Sequence, residues 1–241
     1  MQKQLRDRSV KRQKMLSIII ITILMPATIL IGMVFLNDRK YYLISLLIIL
    51  YTTIPFITAF EGRKPKVREL VIVSVLSAIA VAGRGAFFML PQFKPVIAII
   101  IIAGVCSGEE SGFLVGILTG FVSNIFFGQG PWTPFQMFSL GIIGFLAGLL
   151  YKKGILKNSK VSLCIFGGLT TFFVFGGIMN LASLLISTQR FSWKALTAIY
   201  VSGFWFDVIH STSTIFFLYF ISQPMVEKME RIKNKFGFID G

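Results

Sequence analysis

The amino-acid sequence predicts an all-α integral membrane protein that crosses the bilayer about eight times, with both ends in the cytoplasm. Of its 241 residues, 55% are hydrophobic and only 14% are charged, whereas a soluble domain carries roughly 25% charged residues. Several apolar stretches approach the length of about 20 residues that a helix needs to cross a hydrocarbon core of about 30 Å. The segments between these stretches are too short to form a soluble domain.

The predicted spans divide into an N-terminal pair and a block of six. The pair covers residues 15–36 and 41–60, and the first of these stretches is too long for a cleaved signal peptide. A basic segment with Pro65 as a helix breaker then interrupts the apolar pattern. The six further spans are predicted at residues 70–89, 95–106, 112–127, 135–151, 161–186 and 195–222. The chain is thus divided into a basic N-terminus with two extra helices (1–62), a six-helix module (63–222) and a basic cytoplasmic tail (223–241).

The positive charges set the orientation of these spans. The formal net charge is +14, which by itself would also suit a nucleic-acid-binding protein. With the N-terminus inside, however, 18 of the 24 lysines and arginines fall in the inner segments and 6 in the outer ones. Because cytoplasmic loops carry an excess of Lys and Arg, this bias predicts cytoplasmic termini and a bilayer rather than a nucleic acid as the partner.

Motifs for catalysis, nucleotide binding and metal binding are missing from the sequence. It contains no G-x-x-x-x-G-K-[ST] loop, so ATP for any coupled work is expected to bind to another subunit. Cys106 and Cys164 lack metal-ligand spacing and are expected to be small core residues without a disulfide. Neither a nucleophilic triad nor a metal site can be assembled around the ionisable residues, which disfavours an intramembrane enzyme.

Small residues recur at helical spacing in two regions. In lipid such stripes favour close helix contacts, because they let two backbones approach each other. One set consists of Gly112, Gly116 and Gly120, followed by Gly144 and Gly148 in the next span, and we expect it to pack inside the chain. The other set consists of Ser74, Ala78, Ala82 and Ala86. For this second set, packing within the chain and contact with a partner remain equally open.

Polar side chains inside a membrane are candidates for function, because an ionisable group there costs roughly 2.5–3.5 kcal/mol on insertion scales. Asp207 and His210 lie three residues apart and share a helix face. They have either a functional role, as a proton relay or as a contact to a ligand, or a structural role as a buried pair that holds helices together. Other amides, cations and aromatics cluster near the predicted outer face, where they suit a ligand pocket, although interfacial aromatics often form only a belt. This cluster consists of Arg84, Gln92, Phe93, Lys94, Asn124, Gln129, Trp132, Gln136 and Asn180.

Residues 66–222 resemble the S component, the substrate-binding membrane subunit, of an energy-coupling factor (ECF) vitamin transporter. The resemblance rests on the segments 68–82 and 83–95, on Gly112-Phe113-Leu114-Val115-Gly116, on Phe121-Val122-Ser123-Asn124, and on the Gly/Pro/Trp-containing loop 127–134. It implies a six-helix ECF S-component-like bundle. The two extra N-terminal helices depart from the family pattern and lie outside the resemblance.

The resemblance implies a non-enzymatic subunit that captures a vitamin at the outer face of the plasma membrane. Such subunits dock on a membrane T component coupled to two ABC-type ATPases, so the chain itself is expected to bind no cofactor. The family's A-x-x-x-A docking motif maps onto Ala78 and Ala82. The sequence looks most like the cobalamin-specific class, with riboflavin, folate or a queuosine precursor as alternatives. A stand-alone proton-coupled carrier that uses Asp207 and His210 is a further alternative.

Overall fold

The structure of the chain, a computed structural model, describes residues 67–188 and 192–236, together with isolated positions between residues 47 and 61. The two predicted N-terminal spans therefore lie almost wholly outside the described residues, as does the end of the chain after residue 236. The two continuous segments fold into helices without any strand. This confirms the predicted all-α fold class.

The helices follow the predicted six-span pattern. They are α1 (Val67–Ala86), α2 (Val96–Ser107), α3 (Glu109–Phe127), α4 (Thr133–Lys152), α5 (Lys160–Leu169), a π-helical segment (Thr170–Gly176), α6 (Gly177–Ser187) and α7 (Trp193–Phe236). Five stretches are long and apolar enough to cross a membrane: Val67–Ala86, Glu109–Phe127, Thr133–Lys152, Lys160–Ser187 and Trp193–Lys235. The chain is thus a multi-pass membrane protein.

Two helix boundaries differ from those expected. The helix α1 ends at Ala86 instead of residue 89, with Arg84 in its last turn. The last helix does not end near residue 222 but continues through Pro224 to Phe236. Val226 and Met229 are buried in this extension, and the Lys233 ammonium donates a hydrogen bond to a carbonyl at the C-terminal end of α2. These contacts keep the predicted tail helical against the bundle.

The short helix α2 is the centre of the bundle. Every residue from Val96 to Cys106 is buried, and α2 packs against α1, α3, α4 and α7. Twelve residues rise only about 18 Å, less than the hydrocarbon thickness. A helix of this length is tolerated because protein rather than lipid surrounds it.

Glycines bring α2, α3 and α4 into backbone contact. A Cβ added to Gly112 would lie 2.5 Å from the carbonyl oxygen of Gly144, and one added to Gly116 would lie 2.4 Å from that of Leu140. A Cβ on Gly104 would meet the Gly144 carbonyl oxygen at 2.3 Å. The expectation that the glycine stripes pack within the chain is therefore confirmed.

The stripe of Ser74, Ala78, Ala82 and Ala86 has a different environment. All four residues are exposed, whereas α1 packs on the core through Val73, Leu76 and Ala80. Within the described part of the chain, this stripe is therefore an outward-facing surface of small residues.

Candidate functional site

A polar cavity of about 120 Å³ lies at the end of the bundle where α1 and α3 finish and α4 begins. It extends toward the middle of the bundle, where residues of the π-helical segment and α7 contribute to its wall. The cavity is lined by Arg84, Gln92, Lys94, Val96, Ile97, Ser123, Gln136, Leu140, Phe175 and His210. The polar side chains in this set therefore lie next to apolar ones inside the bundle.

Arg84 is fixed at the cavity wall by a chain of hydrogen bonds. Its Nη1 donates to Ser123 Oγ at 2.6 Å and to Asn124 Oδ1 at 2.9 Å. The amide of Asn124 donates in turn to Gln136 Oε1 at 2.8 Å. A guanidinium has five N–H donors, and the other N–H groups of Arg84 have no hydrogen-bond partner among the described residues. The α1–α3–α4 network therefore orients Arg84 without saturating it.

The loop 87–95 places two further polar side chains on the cavity. The Ser213 hydroxyl accepts a hydrogen bond from the Lys94 N–H at 2.8 Å and donates one to the Lys94 carbonyl at 3.2 Å. The Phe93 ring packs against Phe216 and Phe217, with centroids 5.4 and 5.3 Å away. The loop is thus held on α7, and the side chains of Gln92 and Lys94 line the cavity.

Close packing and an unusual backbone conformation shape the same loop. Pro95 lies over Gly83, where an added Cβ would be 2.6 Å from the proline ring. Gln92 has a φ of 57°, a left-handed conformation that is uncommon for a residue with a side chain. The Phe93 N–H donates to the Pro91 carbonyl at 2.8 Å and closes a tight turn around this residue, whose side chain lines the cavity.

Lys94 carries a positive charge without a matching carboxylate. Its ammonium has no hydrogen-bond partner within residues 67–188 and 192–236, and no acidic side chain lines the cavity. Burial and the nearby charge of Arg84 hold the pKa of Lys94 below its usual value. The cavity therefore holds two cations, close enough to affect each other.

The π-helical segment supplies one wall. The hydroxyls of Thr170 and Thr171 donate to carbonyls four residues earlier, at 2.8 and 2.7 Å, a pattern that often bends helices. Phe175 at the end of the segment meets the His210 ring edge-on, with centroids 4.8 Å apart. His210 is only 8% exposed, and its ring nitrogens have no hydrogen-bond partner in the described segments. π-helical turns are frequent at functional sites.

Asp207 lies in a separate polar contact between α6 and α7. The Asn180 amide donates to Asp207 Oδ2 at 2.7 Å. A Cβ on Gly176 would lie 2.6 Å from the Asp207 carboxyl group, and one on Gly203 would lie 2.4 Å from Asn180 Oδ1. The two glycines thus make room for the pair. Although Asp207 and His210 are three residues apart, they have different partners, and neither Asp207 nor Asn180 lines the cavity.

The structure brings some of the predicted ligand-site residues together and separates others. Five line the cavity: Arg84, Gln92, Lys94, Gln136 and His210. Asn124 lies behind Arg84, and Phe93 anchors the neighbouring loop. Gln129 and Trp132 are exposed on the loop between α3 and α4, Trp132 by 42%. They do not line the cavity.

Some cavity residues were not predicted from the sequence. They are Ser123, Phe175 and the apolar residues Val96, Ile97 and Leu140. Ser123 could have been predicted, because it directly precedes the candidate residue Asn124 in the sequence. Phe175 gave none, because the π-helical register that turns it toward the cavity has no recognisable sequence pattern. Among the described residues, no group of three or more His, Cys, Asp or Glu side chains could hold a metal ion.

Several curated proteins share part of this sequence. The chain is 29% identical to a UPF0397 protein of Aliivibrio salmonicida over 113 residues, which are 45% of this chain and 59% of that protein. It is 31% identical to a UPF0397 protein of Aliivibrio fischeri over 87 residues, 34% of this chain and 47% of that protein. The chain thus spans about half the length of these curated relatives. No solved structure matches it.

A further comparison covers more than half of the chain. Residues 68–237 match the family described as ECF transporter, substrate-specific component. The matched segment begins in α1 and includes every residue that lines the cavity. The chain therefore belongs to the family of substrate-specific components of ECF transporters.

Proposed function

We propose that this chain captures a small organic ligand in the cavity and delivers it inward together with a T component and two ABC-type ATPases. The observation that carries this proposal is the polar, doubly cationic cavity inside an apolar bundle of this family. Family membership supports a substrate-binding rather than an enzymatic role. ATP is then used by the partner ATPases, and this chain binds no cofactor of its own.

The distribution of charge supports an outward-facing cavity. The excess of Lys and Arg in the predicted inner segments favours cytoplasmic termini in the plasma membrane. The loops 87–95 and 128–132 then lie outside, at the end of the bundle that holds the cavity. A ligand would enter from the external medium without crossing the hydrocarbon core.

The size of the cavity bears on the choice of vitamin. Sites for drug-sized ligands enclose about 300–1,000 Å³, whereas this cavity encloses about 120 Å³. A corrinoid is larger than a drug-sized molecule, so the cavity favours a smaller ligand than the cobalamin indicated by resemblance. The sizes of riboflavin, folate and a queuosine precursor must be compared with the same cavity volume.

Binding to the purified full-length chain tests the proposal. We expect one member of a labelled vitamin panel, which includes cobalamin, to bind in nanodiscs without any partner subunit. If the folded protein binds none of them, the proposal of ligand capture is contradicted. ATP-independent, proton-driven accumulation by the chain alone in liposomes would instead favour the carrier, although the hydrogen bond between Asp207 and Asn180 gives that alternative no support.

The exposed small-residue stripe supports docking to a T component through Ala78 and Ala82. Ala78→Trp and Ala82→Trp together are expected to abolish co-purification with the T component and leave ligand binding unchanged. Ser202→Trp, at an exposed position on α7, is the matched control and should retain both properties. If the complex survives the double substitution, the docking assignment is wrong.

A further inference from the structure

The cavity carries an excess of positive charge that no side chain in its lining neutralises. Arg84 and Lys94 both line it, whereas no carboxylate does. Asp207, the acidic residue on α7 nearest in sequence to His210, is bonded to Asn180 instead. Because an unpaired charge away from bulk water is costly, paired or ligand-bound cations are the usual arrangement.

The geometry of the two cations suits a carboxylate. The hydrogen bonds from Arg84 to Ser123 and Asn124 both start at Nη1. The guanidinium also lies 5.3 Å from the centroid of the Phe127 ring, and its other N–H groups, which have no hydrogen-bond partner among the described residues, remain for a ligand. Arg forks bind carboxylates through two parallel hydrogen bonds. The loop 87–95 fixes the backbone of Lys94 through Ser213, which leaves the Lys94 ammonium as a second donor at the same cavity.

The remaining walls indicate the size and character of the rest of the ligand. Val96, Ile97, Leu140 and Phe175 provide apolar surface. The volume of about 120 Å³ is close to that of an engineered apolar cavity of about 150 Å³ that binds benzene. The space therefore fits a body of about one ring.

From these observations we propose that the ligand is a small organic carboxylate with a body the size of one ring, held by Arg84 and Lys94. The carboxylate lies against the two cations and the ring against Phe175 and the aliphatic side chains. Gln92, Gln136 and His210 are available to read polar substituents on the ring. This inference rests on the proposed function, because it assigns a ligand class to the same cavity.

Matched pairs of acids and amides test the inference on the full-length chain in nanodiscs. The probes are benzoate with benzamide, nicotinate with nicotinamide, and inorganic phosphate as an anion without a ring. We expect at least one acid to raise the thermal midpoint in a saturable manner, and its amide and phosphate to have no such effect. Riboflavin serves as a large neutral probe of the same site.

Substitutions locate the effect. Lys94→Gln and Arg84→Lys should each weaken binding of the acid by about ten- to hundredfold, the usual effect of losing a hydrogen bond to a charged group. Arg84→Lys keeps the charge and limits damage to the Ser123–Asn124 network. Lys153→Gln, which removes a charge from an exposed lysine after α4, is the control and should bind the acid as the parent chain does.

The outcomes separate the inference from the proposed function. Equal binding of acid and amide, unchanged binding in the Lys94→Gln and Arg84→Lys variants, or an effect of phosphate alone would each overturn the inference. If riboflavin binds and no acid does, the inference is wrong while the proposed function stands. If neither the acids nor any vitamin binds, both are wrong.

Discussion

At the scale of single residues, the ionisable side chains inside this bundle have different partners. The Asp207 carboxylate is paired with one amide, at 2.7 Å from Asn180. Arg84 is oriented by Ser123 and Asn124 but retains free donors. A satisfied group of the first kind joins helices, whereas a partly satisfied group of the second kind can accept a ligand. This difference assigns Asp207 to the framework and Arg84 to the cavity.

Replacement of Asp207 tests this assignment. Asp207→Ala leaves the buried Asn180 amide without its acceptor, which costs about 1–3 kcal/mol. We expect a lower thermal midpoint and unchanged ligand affinity, because Asp207 does not line the cavity. Asp207→Asn keeps an acceptor oxygen and should lose less stability. Normal stability with loss of proton-driven uptake in the Ala variant would instead assign Asp207 to a proton relay.

The charge of Lys94 predicts how binding of a carboxylate depends on pH. A carboxylate bound as proposed requires the protonated ammonium, and the pKa of Lys94 is held below its usual value by burial and by Arg84. Affinity should therefore fall as pH rises through this lowered pKa. The guanidinium of Arg84 stays charged throughout this range, so the alkaline decline reports on Lys94. Titration of binding from about pH 7.5 upward measures the effect, and Lys94→Gln should abolish the alkaline decline.

At the scale of helices, backbone contact through glycine holds α2, α3 and α4 together. In lipid no hydrophobic drive operates between helices, so close packing supplies much of the attraction. Gly104, Gly112 and Gly144 meet at one crossing, where an added Cβ would lie within 2.5 Å of a carbonyl oxygen. The crossing positions α2, whose first residues line the cavity.

Addition of one methyl group at this crossing should destabilise the bundle. Gly112→Ala forces α3 away from α4, and overpacking of this kind costs about 1–3 kcal/mol. Gly177→Ala is the matched control, since a Cβ there has nothing within 4 Å and the residue is helical. Thermal midpoints of the two variants in the same detergent measure the difference. Equal midpoints would show that the helices separate without cost.

At the scale of the whole molecule, the described helices form one bundle around α2. Six of the seven helices contribute buried residues to the main core cluster. The remaining helix, α6, packs against it through the partly buried Met179. The cavity is lined entirely by residues from 84 to 210. The family match begins at residue 68. Together these observations support a binding module that starts near α1.

Removal of residues 1–60 tests this division of the chain. We expect the truncated protein to insert into the membrane, remain monodisperse and bind the same ligand with a Kd within about threefold of that of the full chain. A change in Kd of about threefold corresponds to less than the roughly 1.4 kcal/mol of a tenfold change. Size-exclusion chromatography and a binding isotherm are the measurements. An aggregated or non-binding product, beside a well-behaved full-length chain, would place the N-terminal residues within the module.

The sequence by itself determined the membrane character and the approximate position of each helix from 67 to 222, but not the extension of the last helix to Phe236. Long apolar runs are a local property, and their boundaries follow from the charges and prolines between them. The glycine stripes were also readable, because the four-residue spacing places them on one helix face. Arg84, Lys94 and Gln136 were recognisable as candidates, since polar groups near a membrane span are rare.

Only the tertiary structure decided which of these polar groups meet. Asp207 and His210 share a helix, but their partners come from α6 and the π-helical segment. Gln129 and Trp132 resemble site residues in the sequence but face outward. The cavity and its unbalanced charge depend on side chains brought together from distant parts of the chain. Helix formation is local, whereas a binding site is made by packing between helices, which no single segment encodes.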